Sequence, residues 1–332
     1  MISTLLISFV SLLQITFGHN FFLASALDRY FINTTMASME HLVQDQLAVL
    51  RSGALDPNSA LPIPHKGPWK VAASAVAGEK ISSEPELVIE ATSAILIDTQ
   101  TGARLFEQNA DYQHAIASIS KLMAALVFVD NNPGWETVYT VRATDARPGA
   151  TPNIKAGERI TARDLFYDAL VASDNAAIIA LVNLTGLSEE QFVDRMNQRA
   201  VSMGLVETVF TDPTGLSSGN VSTAAEVSVF ARQAFLHSDI RAAVLTKGYD
   251  LTLLPDTKRR IYSTDDLLGG DLGTIEILGG KTGYVDKAGY CFVGNFSNHE
   301  QEVISVVLGA GTIKARFSET AKLLHWYFKD TN

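Results

Sequence analysis

The chain has 332 residues, 47% of them hydrophobic and 19% charged, a globular composition with material for a sizeable core. Its 26 basic against 36 acidic residues leave a net charge of -10, which argues against a nucleic-acid binder, since that would need a basic face. The lone cysteine, Cys291, rules out an internal disulfide and any zinc site built on two or more thiolates.

In chain order, the first 27 residues carry no charged side chain, and Ile2 to Phe17 is dominated by Leu, Ile, Phe and Val. This reads as a signal peptide cleaved near Ala24-Ser25-Ala26 or, lacking a basic leader, as an uncleaved N-terminal anchor. The predicted organisation is therefore 1–26 as signal or anchor, 27–85 as a helix and linker, and 86–330 as one compact domain. Within 27–85, Met39, Leu42, Leu47 and Leu50 recur near helical spacing, and a Pro- and Ser-rich stretch follows.

The compact domain opens with a predicted hairpin, Ala91–Asp98 and Ala103–Gln108, around a polar turn. A helix is expected from Ser118 to about Asp130, then helices over 161–184, starting at a Thr161 to Asp164 capping pattern, and over 188–203. Asn220–Leu236 reads as a helix capped by Ser222. Tyr290–Phe296 and Gln301–Ala310 read as strands, and a last helix places Phe317, Ala321, Leu324 and Phe328 on one face. Strands at both ends with helices between predict an α/β (α+β) domain with one mostly antiparallel sheet and a helical insertion.

Three short patterns carry chemistry. In Ser118-Ile119-Ser120-Lys121, the residues at i and i+3 share a face at the first turn of an apolar helix. Burial there lowers a lysine's pKa and makes it a general base for the serine, at the positive end of the helix dipole. The plainer alternative is that Ser118 caps the helix and Lys121 reaches solvent. Ser173-Asp174-Asn175 interrupts an apolar run, so its polar groups need partners, as at a helix junction opening into a cleft. A second S-x-N, Ser218 to Asn220, lies in a Gly- and Ser-rich turn and reads as structural. In Lys281-Thr282-Gly283, flanking glycines let another backbone approach a strand edge that can pair with an extended peptide.

Taken together and in this order, the three patterns resemble the active-site serine penicillin-recognising family. AIASISKLMAAL, NIKAGERITARDLFYDALVASDNAA, FTDPTGLSSGNVSTAAEVSVFAR and GGKTGYVDKAGYCFVG look like D-alanyl-D-alanine carboxypeptidases of the low-molecular-mass class, from about residue 87 to 328. The resemblance implies a β-lactamase/transpeptidase-like fold, with a mostly antiparallel sheet flanked by helices and a helical subdomain. It also implies an acyl-enzyme on Ser118, proton acceptance by Lys121, a relay through Ser173, and Asn175 holding Lys121 and the substrate amide. Lys281 would tune the proton network, and Thr282 and Arg316 would bind the terminal carboxylate. The backbone N–H groups of Ser118 and of Tyr284, which follows Gly283, would form the oxyanion hole.

The implied partners are peptidoglycan peptides and, as inhibitors, β-lactam antibiotics. No cofactor, metal or nucleic acid is implied. The implied location is outside the cytoplasmic membrane, periplasmic or on its outer face, with attachment expected only through the N-terminal segment. Asp212-Pro213-Thr214-Gly215-Leu216-Ser217 looks closer to the muropeptide endopeptidase branch, so an endopeptidase is the alternative activity. A class A β-lactamase would need an E-x-x-L-N glutamate between the second and third motifs, and none is present. A strand-transferring enzyme and a non-catalytic penicillin-binding module are the remaining rivals.

Overall fold

The computed structural model describes residues 87–148 and 152–329. The expected signal or anchor (1–26), the helix and linker (27–85) and the boundary between 85 and 86 lie outside the described residues. Described strands are β1 (Ser93–Asp98), β2 (Arg104–Gln108), β3 (His114–Ala115), β4 (Val138–Thr140), β5 (Arg159–Thr161), β6 (Val221–Ser222), β7 (Gly248–Leu254), β8 (Thr257–Tyr262), β9 (Glu276–Val285), β10 (Gly289–Ser297) and β11 (Glu302–Ala310). Described helices are α1 (Ser120–Asp130), α2 (Ala162–Val171), α3 (Asn175–Leu184), α4 (Glu189–Ser202), α5 (Ala224–Leu236), α6 (Ser238–Val244) and α7 (Ile313–Lys329).

The main sheet has five antiparallel strands in the order β2-β1-β11-β10-β9, so the first and last strands of the domain pair at its centre. Both faces are covered. Leu96, Phe292, Phe296 and Val303 pack with Phe317, Leu324 and Phe328 of α7. Ile95, Ile97, Val293, Ile304 and Val306 point the other way, into the core shared with the helices. That alternation follows from the strand period of two. Burial on both faces explains why β11 reads as a nearly unbroken apolar run. The predicted α7 face holds, with Ala321 partly buried beside its three partners. Strand β9 is left at the edge, with one side of its ladder unpaired by the sheet.

The helical region centres on α1, whose residues Ser120 to Phe128 are all buried. A helix apolar on every side can only be a central one, and α2, α3, α4, α5 and α6 surround it. A smaller sheet, β4-β5-β7-β8, borders this region and was not anticipated. Among the described residues no helix is long and apolar enough to cross a membrane.

Three predicted helices are corrected. The 161–184 stretch is two helices, α2 and α3, because Ala172–Asp174 leaves the helical path. The helix predicted from Asn220 begins at Ala224, and its cap is Thr223, whose hydroxyl accepts the Glu226 N–H. Ser222 is instead in β6, bonded to the Thr208 hydroxyl at 2.7 Å. Ahead of α1, Ala117–Ile119 forms a tighter 3-10 turn.

Candidate active site

Ser118 sits in that 3-10 turn, half-buried, where the helical region meets β9. The preceding residue, Ala117, has φ 48°, a left-handed conformation that costs a residue with a Cβ about 1 kcal/mol or more. Its carbonyl accepts the Ser120 hydroxyl at 2.7 Å, and Ser120 Oγ accepts Asn220 Nδ2 at 2.9 Å. Close backbone approach holds the turn from two other sides. A Cβ on Gly283 would lie 2.8 Å from the Ile116 carbonyl and 3.2 Å from Ser118 N, and one on Gly215 would overlap the Ala117 carbonyl. The capping alternative for Ser118 fails, since α1 has no side-chain cap.

Lys121 is fully buried rather than solvent-reaching. Its Nζ lies 2.9 Å from Ser118 Oγ, 2.7 Å from Asn175 Oδ1 and 2.7 Å from the Thr214 carbonyl. Burial pushes its pKa down to about 7, against the charges of Asp212 and Asp174, which oppose the shift. In the neutral amine, two N–H groups can serve Asn175 and Thr214 while the lone pair faces the serine proton. This places a proton acceptor on the hydroxyl at neutral pH.

Ser173 lies in the α2–α3 break with φ 61°, again left-handed. Asp174 holds this turn. One carboxylate oxygen caps α3 through Ala177 N at 2.9 Å, and the other accepts Asn153 N at 2.6 Å. Asp174 thus has both oxygens taken by backbone N–H groups rather than by the Lys121 amine. Beneath it, buried Asp168 accepts Asn153 Nδ2 at 2.8 Å, and burial beside Asp174 raises its pKa well above the usual carboxylate range.

From the sheet side, Lys281 is 1% exposed and donates to Ser173 Oγ at 2.8 Å and to the Thr282 carbonyl at 3.1 Å. Burial, with the Lys121 and Arg316 charges, holds its amine well below the usual lysine range. Thr282 is buried, with its hydroxyl 2.6 Å from that of Thr264. Arg316 is buried in the first turn of α7, stacked 4.7 Å over the Phe317 ring, with Nη1 3.5 Å from the Gly283 carbonyl. Burial lowers its pKa, and its Nε has no hydrogen-bond partner among the described residues. Lys314, two residues earlier, is exposed. Tyr284 is half-exposed at the rim, stacked on Tyr290 at 4.4 Å.

All nine predicted site residues thus fall in one region, linked by the Ser118–Lys121–Asn175 and Ser173–Lys281 bonds and by the approach of Gly283 to the Ser118 turn. Two further groups support the site, and the role of the first was not predicted. Asp212 accepts the N–H groups of Thr214 (2.6 Å), Gly215 (2.8 Å) and Ser217 (2.8 Å), folding the loop that aims the Thr214 carbonyl at Lys121. The Asp-Pro-Thr-Gly order is a turn signal that marks such a loop, though nothing in it reveals a carbonyl bound to a lysine. Asn220, read as structural, is so. Its amide bonds Thr211, Asp212 and Ser120 and forms the floor under the Ser118 turn.

Known proteins resemble this chain in sequence and in fold. Residues 79–312 match the family described as D-alanyl-D-alanine carboxypeptidase. The D-alanyl-D-alanine carboxypeptidase DacF of Bacillus subtilis is 31% identical over 77% of this chain and 67% of its own length. A D-alanyl-D-alanine endopeptidase of Pseudomonas aeruginosa is 30% identical over 70% of this chain and 76% of its own. Among solved structures, the Streptomyces K15 DD-transpeptidase superposes with TM-score 0.68 at 26% identity, covering 74% of this chain and 100% of that one.

Proposed function

Since the chain belongs to the D-alanyl-D-alanine carboxypeptidase family of serine peptidases, we propose that Ser118 is its acylated nucleophile and Lys121 the base that activates it. The observation that carries this is the Lys121 amine, buried, 2.9 Å from the Ser118 hydroxyl and with a pKa near 7. Lys121 takes the Ser118 proton as Oγ attacks the penultimate D-alanine carbonyl. The backbone N–H groups of Ser118 and Tyr284 receive the oxyanion, in a setting where such donors are worth several kcal/mol, about 10²–10³ in rate. As the C–N bond breaks, Ser173, its hydroxyl held by Lys281, relays to the leaving amine the proton that Lys121 took from Ser118, which returns Lys121 to its neutral form. Asn175 keeps Lys121 aimed and offers its amide nitrogen to the acyl donor. Water then hydrolyses the ester by the same route in reverse.

Exopeptidase action on a D-Ala-D-Ala terminus is the reading the site supports best. Arg316, whose Nη1 lies 3.5 Å from the Gly283 carbonyl, has a buried Nε with no hydrogen-bond partner among the described residues, and a guanidinium with spare donors matches a carboxylate. The endopeptidase reading rests on the Asp212–Ser217 loop and the Pseudomonas relative. Peptidoglycan stem peptides are the substrate and β-lactams the acylating inhibitors. The uncharged N-terminal segment supports export.

The test is penicillin labelling followed by turnover. Ser118→Ala should abolish covalent labelling with the fold intact by circular dichroism, and labelling that survives would overturn the assignment. Wild-type enzyme should release D-alanine from a pentapeptide with a free C-terminus and lose that activity when the terminus is amidated. Unchanged cleavage of the amidated peptide would make it an endopeptidase.

A further inference from the structure

Thr264 lies between β8 and a 3-10 turn at Asp266–Gly269, outside every motif noted in the sequence. It makes two bonds that lead to different sides of the cleft. Its N–H donates to the carbonyl of Val171, the last residue of α2 and two positions before Ser173, at 3.1 Å. Its hydroxyl lies 2.6 Å from the Thr282 hydroxyl. With the Lys281 bond to Ser173, these contacts close a ring running from Ser173 to Lys281, along the chain to Thr282, across to Thr264, then to Val171 and back along the chain.

The ring has a consequence for the proton on Thr282. Each hydroxyl owns one hydrogen and can accept two. A carboxylate only accepts, so Thr282 can donate to one only if it does not donate to Thr264. When a carboxylate is bound, the short contact must therefore run from Thr264 to Thr282. We propose that Thr264 is a positioning residue for terminal-carboxylate recognition, donating to Thr282 so that the Thr282 hydrogen faces the substrate anion. This deepens the proposed function and rests on Thr282 binding that carboxylate. Thr264 itself touches no substrate. It acts through Thr282 and, by its backbone, is tied to the end of α2.

The test compares a peptide thioester ending in a free carboxylate with its C-terminal methyl ester. Thr264→Val keeps the shape and the backbone bond and removes only the hydroxyl. It should raise KM for the free carboxylate about tenfold with kcat little changed, one tenfold step being the loss of about one hydrogen bond. The methyl ester should change at most about twofold, and Thr264→Ser should restore the preference. Thr282→Val should weaken the same preference, and adding Thr264→Val to it should have no further effect. If Thr282→Val abolishes the preference but Thr264→Val leaves it intact, the inference fails and the proposed function stands. If Thr282→Val does not alter the preference, the carboxylate reading of Thr282 fails and Thr264 falls with it. If Thr264→Val slows both substrates equally while Thr282→Val discriminates, Thr264 is a brace of the fold and the inference is again overturned.

Discussion

Lys121 rises from a helix entered through a left-handed turn, whereas Lys281 stands in an ordinary antiparallel ladder opposite Val293 of β10. The helical side spends conformational strain at Ala117 and Ser173, and surrounding bonds must hold it there. Those bonds come from side chains distant in sequence, among them Asn220 on Ser120 and Asp174 on Asn153. The sheet side shows no such strain, because ladder register sets which face of β9 Lys281, Thr282 and Gly283 occupy. The proposed nucleophile thus sits on the strained half of the cleft and the proposed docking strand on the regular half.

The largest expected effect separates the two lysines. Lys121→Ala should slow acylation by penicillin about 10²–10⁴-fold, the range for losing a positioned base. In the wild type, acylation should rise with pH through about 7, because Lys121 is protonated and inactive as a base below that value. Lys281→Ala should keep this limb and lose less rate. A limb that vanishes in Lys281→Ala and persists in Lys121→Ala would reverse the comparison.

A smaller effect tests the bracket on the Ser118 turn. Gly157 and Gly215 have similar left-handed φ values, 88° and 85°, but only Gly215 abuts other backbone. Gly157→Ala should cost about 1 kcal/mol of unfolding free energy and leave penicillin labelling unchanged. Gly215→Ala adds overlap with the Ala117 carbonyl and should cost about 3 kcal/mol or more, with slowed labelling. Equal losses in denaturant titrations, with equal labelling, would show that this loop does not brace the turn.

The smallest effect lies under the sheet side. Asp265 is buried, one carboxylate oxygen lacks a partner among the described residues, and burial raises its pKa to about 6. A raised folded pKa contributes stability below the unfolded value near 3.8, lost as pH rises through about 6. Asp265→Asn keeps an acceptor for the Leu267 N–H and should abolish that fall. It should gain about 1–3 kcal/mol over the wild type at pH 8 and almost nothing at pH 4, by denaturant titration at both values. A pH-independent difference would assign Asp265 another role.

Local rules made much of this legible. Thr161 caps α2, and Ser188 caps α4 with a reciprocal Gln191 bond, as their hydroxyl-bearing positions before apolar periodicity imply. The sheet's central pairing followed from strands at both ends of the domain. The β7–β8 hairpin went unread, because TKRRIY is charged and faces solvent on alternate residues. The late start of α5 was missed for a similar reason. Ser222 has a capping side chain, but pairing of β6 with β3 claims its backbone and Thr208 its hydroxyl.

At the site, the residue types and their order in the chain sufficed to single out Ser118, Lys121, Ser173, Asn175 and Lys281. The i to i+3 spacing of Ser118 and Lys121 survives because one helical turn is a local geometry. What surrounds them was decided by the tertiary fold. The Thr214 carbonyl that bonds Lys121 lies 93 residues along the chain, and Asn220 lies 100 residues beyond Ser120. A backbone carbonyl has no signature in a sequence, and a threonine such as Thr264 is indistinguishable from any other polar loop residue. Burial of both amines, which lowers their pKa values, likewise exists only once α1 is enclosed by its neighbours and β9 closes over the turn. A lysine's identity sets its intrinsic basicity, whereas the dielectric around it comes from residues brought near by folding.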